Sequence, residues 1–155
     1  MTIAKPIGGL IGFLEHGPAM ERAYALAPLP ARILMAAIFL WSGFGKVMDP
    51  GMTMGFMTMH HMPMVPVFLA LSILFELGGG LTLLLGYHGR LAAGALILFM
   101  IPTTLIFHNF WAYTGQDHMM QLINFMKNTS IIGGLLMVVG LGAGGYSLDH
   151  LLAKK

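Results

Sequence analysis

The sequence predicts an all-α membrane protein, a bundle of four transmembrane helices with both termini on the cytoplasmic side. Composition is the first reason, because 57% of the 155 residues are hydrophobic and 9% are charged, whereas a soluble domain has about 25% charged residues. The second reason is the presence of four apolar runs. Each run approaches the roughly 20 residues that a helix needs to cross the hydrocarbon core of a bilayer.

The apolar runs divide the chain into a membrane domain and two short flanking segments. Only Tyr87-His88-Gly89 separates the second and third runs, so these two helices are expected to be antiparallel neighbours. Residues 1–28 form an N-terminal cytoplasmic or interfacial segment, which we expect to be retained, and residues 150–155 form a C-terminal tail. The membrane domain covers residues 29–149, with spans at about 30–47, 64–86, 90–110 and 128–146.

The basic residues predict the orientation of the bundle. Loops that stay in the cytoplasm keep an excess of Lys and Arg. Six of the eight basic residues fall on the side of the termini and the middle turn, and two, Lys46 and Lys127, fall on the opposite side. We therefore expect cytoplasmic termini, with the connections after the first and third spans on the outer face.

Composition also excludes several classes of function. The chain has no cysteine, which excludes an intrachain disulfide, thiolate metal ligands and thiol chemistry by this chain. Its few basic residues lie at helix ends and form no patch, so nucleic-acid binding is not expected. The expected partners are the lipid bilayer and other membrane protein subunits.

Small residues predict where helices pack closely. Gly140 and Gly144 form a G-x-x-x-G pattern in the fourth run, and Gly78, Thr82 and Gly86 repeat small residues every four positions in the second. Such faces let helix backbones approach each other where lipid provides no hydrophobic drive to associate. We expect both faces to lie inside the bundle or against another chain.

Glu76 is the most informative residue inside a predicted span. It lies about 18 Å along the second helix from the outer end, at 1.5 Å per residue, and a charge at that depth costs several kcal/mol unless it is paired or protonated. Two interpretations are open: a carboxyl group that fixes helix packing, and an acid that handles protons or contacts a cofactor. Lys46 is a candidate partner if its stem reaches inward, and the alternative is that it extends outward to water.

Polar residues also gather at the outer ends of the third and fourth spans. His108 and Asn109 close the third span, while Lys127 and Asn128 open the fourth. An imidazole, an amide and an ammonium group beside an apolar pocket are the donors that a quinone head group would need. These four residues, together with the glutamate and lysine described above, form a candidate quinone site.

The segment 48–64, hereafter the Met/His segment, is rich in methionine and contains two adjacent histidines. One interpretation is a helix in the outer interface on which methionine replaces leucine and alanine. The other is a site for Cu(I), because thioethers and imidazoles are soft ligands. The candidate ligands are Met52, Met54, Met57, Met59, His60, His61, Met62 and Met64.

Short motifs follow one another along the membrane domain. They are Arg32 at the start of the first span, Ser42-Gly43-x-x-Lys46 with Asp49-Pro50, Glu76-x-Gly-Gly-Gly, the Leu-Gly-x-x-x-Arg turn at 85–90, FHNFW at 107–111, Lys127-Asn128 and Ser147-Leu148-Asp149. In order and spacing they resemble the DoxX family of small four-helix membrane proteins. The resemblance covers about residues 28–149, and the sequence departs from the family pattern in the Met/His segment.

The resemblance implies a multi-pass protein of the inner membrane of a bacterial or archaeal cell. Members of the family are linked to quinone-coupled sulfur oxidation, as subunits of thiosulfate:quinone oxidoreductase, and to membrane oxidoreductase assemblies. We therefore favour a membrane subunit of a redox complex, with quinone as the implied cofactor and the Met/His segment on the outer, periplasmic, side. The alternatives are a copper-handling accessory protein and a purely structural accessory subunit, and activity as an independent enzyme is the least supported.

Overall fold

The computed structural model describes residues 18–154, and within them every regular element is a helix. The expectations for residues 1–17 lie outside the described residues. The elements in chain order are α1 (Pro18–Leu26), α2 (Pro28–Met48), α3 (Pro50–Met59), α4 (Val65–Leu85), α5 (Gly89–Phe107), α6 (Gly115–Leu141) and α7 (Leu148–Ala153). Four of them, α2, α4, α5 and α6, are long and apolar enough to cross a membrane. The predicted all-α architecture with four membrane helices is confirmed.

The outside of the bundle is apolar. Trp41 is 83% exposed, and Leu34, Leu91 and Leu141 are 72–74% exposed. A surface of this kind would promote association in water. In a bilayer the same side chains contact lipid instead of water, so this drive to associate is removed.

The core lies where the four long helices meet. Leu83, Leu96 and Leu135, from α4, α5 and α6, are fully buried, and Ala36 and Phe39 of α2 belong to the same cluster. Each long helix therefore contributes to one common core.

Glycines bring the helices close together around α4. A Cβ on Gly43 of α2 would lie 2.8 Å from a methyl carbon of Leu77 on α4. A Cβ on Gly79 of α4 would lie 2.8 Å from a methyl carbon of Leu96 on α5. On the predicted face of the second span, Gly86 is closely packed, since a Cβ there would overlap Arg32, whereas a Cβ on Gly78 would meet only its own helix, at 4.0 Å. The close approach to α5 occurs at Gly79, one residue after Gly78.

The predicted G-x-x-x-G face of the fourth span is wrong. α6 ends at Leu141 because Gly142 takes a positive φ of 87°, so Gly144 lies beyond the helix. α6 also begins at Gly115 rather than near residue 128, and most of the expected outer loop is helix. Hydropathy missed this part because its first turn is polar, although Asp117 in that turn favours the start of a helix.

α4 changes its hydrogen-bond pattern in the middle. It is α-helical over Val65–Ile73, π-helical over Leu74–Gly79 and α-helical again over Gly80–Leu85. A π segment inserts an extra residue into a turn and frequently marks a functional position. Glu76 lies within it.

Contacts between α2 and α4 define the relative height of these antiparallel helices. Gly43 lies opposite Glu76 and Leu77, and Leu40 lies opposite Gly80. These pairs place the end of α2, at residue 48, level with about residue 72 of α4. The first seven residues of α4, or about 10 Å of helix, therefore extend beyond the end of α2. α2 therefore stops short of α4 at the end of the bundle that holds the Met/His segment.

Arg32 joins helix ends at the opposite end of the bundle. Its side chain is buried, and its guanidinium donates hydrogen bonds to the carbonyl oxygens of Leu84, near the end of α4, and Tyr146, shortly before α7. Carbonyl groups at the end of a helix have no hydrogen-bond partner within the helix. The Arg32 guanidinium provides such a partner in place of water.

The segment after α6 is held against the turn between α4 and α5. Asp149 accepts hydrogen bonds from the N–H groups of His88 and Gly89 at 2.7 and 2.8 Å, which satisfies free N–H groups at the start of α5. The N–H of Asp149 donates to the carbonyl oxygen of Gly86 at 3.0 Å. The start of α2 and the end of the described chain thus lie together, as an even number of spans predicts, while their side of the membrane stays a prediction.

The Arg32 contact predicts unequal effects of two glycine substitutions. Gly86 and Gly115 have nearly the same left-handed backbone, with φ of 63° and 62°, but a Cβ on Gly86 would overlap the Arg32 guanidinium, whereas one on Gly115 would meet nothing within 4 Å. We expect Gly115→Ala to cost about 1 kcal/mol of unfolding free energy through its backbone alone. Gly86→Ala should cost about 3 kcal/mol or more, because Arg32 and Ser147 are displaced as well. Unfolding in detergent, followed by circular dichroism, measures both, and equal losses would show that the packing of Arg32 and Ser147 against Gly86 does not stabilise the bundle.

Candidate functional site

Lys46 and Glu76 form an ion pair inside the bundle. Nζ of Lys46 lies 2.8 Å from Oε1 and 2.7 Å from Oε2 of Glu76, and it also donates to Oγ of Ser42 at 2.8 Å. The Ser42 hydroxyl in turn donates to Oε1 of Glu76 at 3.1 Å. The lysine side chain is 17% exposed and the glutamate side chain 7%. Of the two orientations that the sequence leaves open for Lys46, the structure shows the inward one.

Local sequence explains how these three groups meet. Ser42 and Lys46 are four residues apart on α2 and therefore share one face of the helix. Gly43 lets the α2 backbone approach Glu76, whose Cβ would be only 3.1 Å from a Cβ at the glycine position. On the other side of the pair, the carboxylate is presented from the π segment of α4.

The ion pair lies deep in the apolar part of the bundle. Glu76 is 11 residues after Val65 and nine before Leu85, the two ends of α4, which places it about 16 Å and about 14 Å from them at 1.5 Å per residue. Removing two charges from water costs several kcal/mol per ion, and the attraction between them offsets this only with good geometry and additional hydrogen bonds. Ser42 provides such a hydrogen bond to each partner.

Two further polar pairs lie between α5 and α6. Nδ1 of His108 is 2.9 Å from Oε1 of Gln121. The side-chain amide of Asn128 donates to Oγ1 of Thr104, which is buried, at 3.0 Å. Thr104 lies four residues before His108, so the two pairs are about one helical turn apart.

The other two predicted quinone-site residues are not in these pairs. Asn109 is partly buried, and its Oδ1 has no hydrogen-bond partner among the residues that the structure describes. Lys127 is exposed. The predicted set therefore divides into the ion pair between α2 and α4 and the polar pairs between α5 and α6, with Asn109 and Lys127 outside both groups.

The Met/His segment forms α3 and a turn that leads into α4. Met57 is 4% exposed and packs in a small apolar cluster with Leu69 of α4 and Phe107 of α5. Met54 and Met62 pack against this cluster. Among the candidate ligands, the exposed methionines, at 67–74%, are Met52, Met59 and Met64. The predicted copper ligands are thus divided between a buried or partly buried group and an exposed group.

The two histidines of the segment differ in the same way. His60 is partly buried, with Nδ1 2.9 Å from the carbonyl oxygen of Phe56. His61 is exposed and takes a left-handed backbone conformation with φ of 54°.

Sequence reasoning assigned no role to two of these polar partners. Ser42 could have been found from its spacing, since a residue four positions before Lys46 shares its helix face. Gln121 had no comparable signal, because it lies in a part of α6 that hydropathy assigns to a loop and it meets His108 only through the packing of α5 on α6.

Comparison with known proteins gives the family. Residues 27–109, more than half of the chain, match DoxX. The chain belongs to the DoxX family. Two relatives in Escherichia coli K12 are the inner membrane protein YqjF, 38% identical over 88% of this chain and 99% of YqjF, and the inner membrane protein YphA, 33% identical over 79% of this chain and 87% of YphA.

A shorter match is found with a eukaryotic protein. The ER-derived vesicles protein ERV29 of Saccharomyces cerevisiae is 31% identical over 79 residues, which cover 51% of this chain and 26% of ERV29. No solved structure gives a significant match. The predicted family is confirmed, and the ion pair lies within the matched region.

The geometry of the ion pair predicts non-additive effects on stability. Lys46→Met leaves the Glu76 carboxyl group without its counter-charge, so we expect a loss of about 3 kcal/mol or more in unfolding free energy. Adding Glu76→Gln should recover most of this loss, because no charge is then buried unpaired. Lys127→Met, at an exposed lysine, should change stability by less than about 0.5 kcal/mol.

Unfolding of the four proteins in the same detergent provides the measurement. Equal destabilisation of the single Lys46→Met variant and the double variant would contradict the expectation, because it would show that lost packing, rather than an unpaired charge, causes the effect.

Proposed function

We propose that this DoxX protein is a membrane subunit of a quinone-linked redox complex, and that Lys46, Glu76 and Ser42 form its site for the quinone head group and for protons. The proposal rests on the ion pair, because opposite charges inside a membrane domain are costly and are functional-site candidates by default. The inner-membrane relatives support the membrane location, and the link of the DoxX family to quinone-coupled sulfur oxidation supports the redox function.

The side chains at the ion pair fit a quinone head group. A quinone supplies two carbonyl oxygens that accept hydrogen bonds, and its two-electron reduction takes up two protons. Lys46 and Ser42 are hydrogen-bond donors and Glu76 is a proton acceptor. The lysine side chain is 17% exposed, so the cluster is accessible at its lysine.

The three residues have different roles in this proposal. The ammonium group of Lys46 now donates to Ser42 and to both carboxylate oxygens of Glu76. Lys46 releases one of these bonds when it donates to a carbonyl oxygen of the head group, and Ser42 remains to orient the carboxylate. This exchange would bring the head group beside Glu76, whose carboxylate can accept a proton.

Electrons reach the site from another subunit in this proposal. The chain has no cysteine, the usual ligand of iron–sulfur clusters. Lipid-facing apolar surface on the bundle is available for packing beside a larger membrane protein. In the structural alternative, the chain makes the same contacts with its partner and the ion pair only fixes α2 on α4.

The activity of the native complex distinguishes these two functions. Extraction in mild detergent through a terminal tag should recover the chain with a flavin-, haem- or metal-bearing oxidoreductase. In that complex, Glu76→Gln should lower quinone-dependent turnover by about 100-fold and change its pH dependence, since the proton carrier is lost. Asp117→Asn, which alters an exposed carboxyl group at the start of α6, is the matched control and should leave turnover unchanged.

Two results would contradict the redox function. Recovery of the chain alone would remove the partner that the proposal requires. Normal turnover and pH dependence in a correctly assembled Glu76→Gln complex would leave the ion pair with a packing role, as in the structural alternative.

We also propose that the Met/His segment faces the periplasm. Because the chain has no cysteine, a single introduced cysteine reports one position without background. Gln116→Cys, at the same end of the bundle as the Met/His segment, should react with a membrane-impermeant maleimide at the surface of the inner membrane in spheroplasts. Lys154→Cys, at the opposite end, should react only after the membrane is permeabilised, and the reverse pattern would show that the bundle is inverted.

A further inference from the structure

His60 has one ring nitrogen held in place and the other without a partner. Nδ1 lies 2.9 Å from the carbonyl oxygen of Phe56, and since that oxygen can only accept a hydrogen bond, the proton is on Nδ1. Nε2 of the neutral ring is then a free acceptor, which is buried and has no hydrogen-bond partner among residues 20–154. Histidines that bind metals almost always donate their second ring N–H to a carbonyl or carboxylate oxygen in this way.

Aromatic rings fix the position of the imidazole. The centroid of the His60 ring lies 4.5 Å from that of Phe56 on α3 and 5.0 Å from that of Phe107 at the end of α5. Nε2 is therefore held in an apolar environment, where an unpaired polar atom requires an explanation.

Three methionines lie at the apolar cluster that contains Phe107. Met57 is buried in this cluster, and Met54 and Met62, which are partly buried, pack against it. Met57 lies three residues before His60, on the same side of α3, and both residues pack near Phe107. The left-handed conformation of His61 turns the chain back, and the N–H of Met62 donates to the carbonyl oxygen of Met57 at 3.2 Å.

The donor types select the metal. An imidazole and thioethers are soft, uncharged ligands that favour Cu(I). The residues that the structure describes contain no group of three or more His, Asp or Glu side chains that could hold a metal ion, and such groups are what Zn(II) and Mg(II) sites use. A single positive charge is also less costly than a double charge in an apolar cluster.

We propose that His60, through Nε2, and the thioethers of Met54, Met57 and Met62 form a Cu(I) site where α3 meets the end of α5. The exposed methionines and His61 are not part of it. This site is separate from the Lys46–Glu76 pair and does not depend on the redox function proposed above, because it rests on the free imidazole nitrogen and on the packing of these three methionines at the Phe107 cluster.

Competition for Cu(I) between the purified protein in detergent and a chromophoric Cu(I) chelator tests the proposal. We expect one bound Cu(I) per chain, displaced by Ag(I) and not by Zn(II). His60→Ala should weaken Cu(I) binding by about tenfold or more. Met57→Leu, which keeps the volume of the side chain and hence the packing of α3, should also weaken it.

Exposed residues of the same segment provide matched controls. His61→Ala and Met59→Leu change one histidine and one methionine that are exposed, so neither should alter the affinity. Wild-type affinity in both His60→Ala and Met57→Leu would overturn the proposal. Equal losses in the buried and exposed variants would also overturn it, because they would indicate adventitious binding to the whole segment. If His60→Ala fails to fold, by circular dichroism, the comparison of Met57→Leu with Met59→Leu still decides between these outcomes.

Discussion

A charge in a medium of low dielectric constant needs a compensating partner close to it. α2 carries two such charges, and their partners determine how this helix packs in the bundle. Arg32, Ala36, Phe39, Gly43 and Lys46 alternate in spacings of four and three residues and therefore line one face of the helix. All but Lys46 are buried. This face has a cation at each end, and the two cations are about 21 Å apart at 1.5 Å per residue. The partners of these two cations attach α2 to α4 at two positions along the helix axis.

The two cations have different kinds of hydrogen-bond partner. The partners differ in whether they can rearrange in the folded protein. Arg32 donates to backbone carbonyl oxygens, which neither titrate nor move without unfolding a helix end. Lys46 is matched by side chains, Glu76 and Ser42, which can change hydrogen-bond partners while the helices stay in place. The contacts at one end of α2 are thus fixed by backbone structure, and those at the other end depend on side chains alone.

Hydropathy predicts most of this fold because bilayer thickness constrains helix length. The ends predicted from hydropathy for α2, α4 and α5 lie within three residues of the observed ends. The predicted ends of the fourth span do not match those of α6, whose first turns are polar. Glu76 is evident in the sequence because an acid interrupts an apolar run. The direction of the Lys46 side chain is not evident in the sequence, since its stem can reach either way. The burial of Met57 is not evident either, because it depends on contact with Phe107, 50 residues further along the chain.

The depth of Glu76 also has an electrical consequence. A residue near the middle of α4 lies about halfway through a hydrocarbon layer of about 30 Å. The transmembrane potential acts on a full crossing of one elementary charge with about 2.3 kcal/mol per 100 mV. A single charge at this depth is separated from either side by about half of that potential, which is a free-energy difference of about 1 kcal/mol per 100 mV. The pair of Lys46 and Glu76 has no net charge, so the membrane potential exerts almost no net force on it.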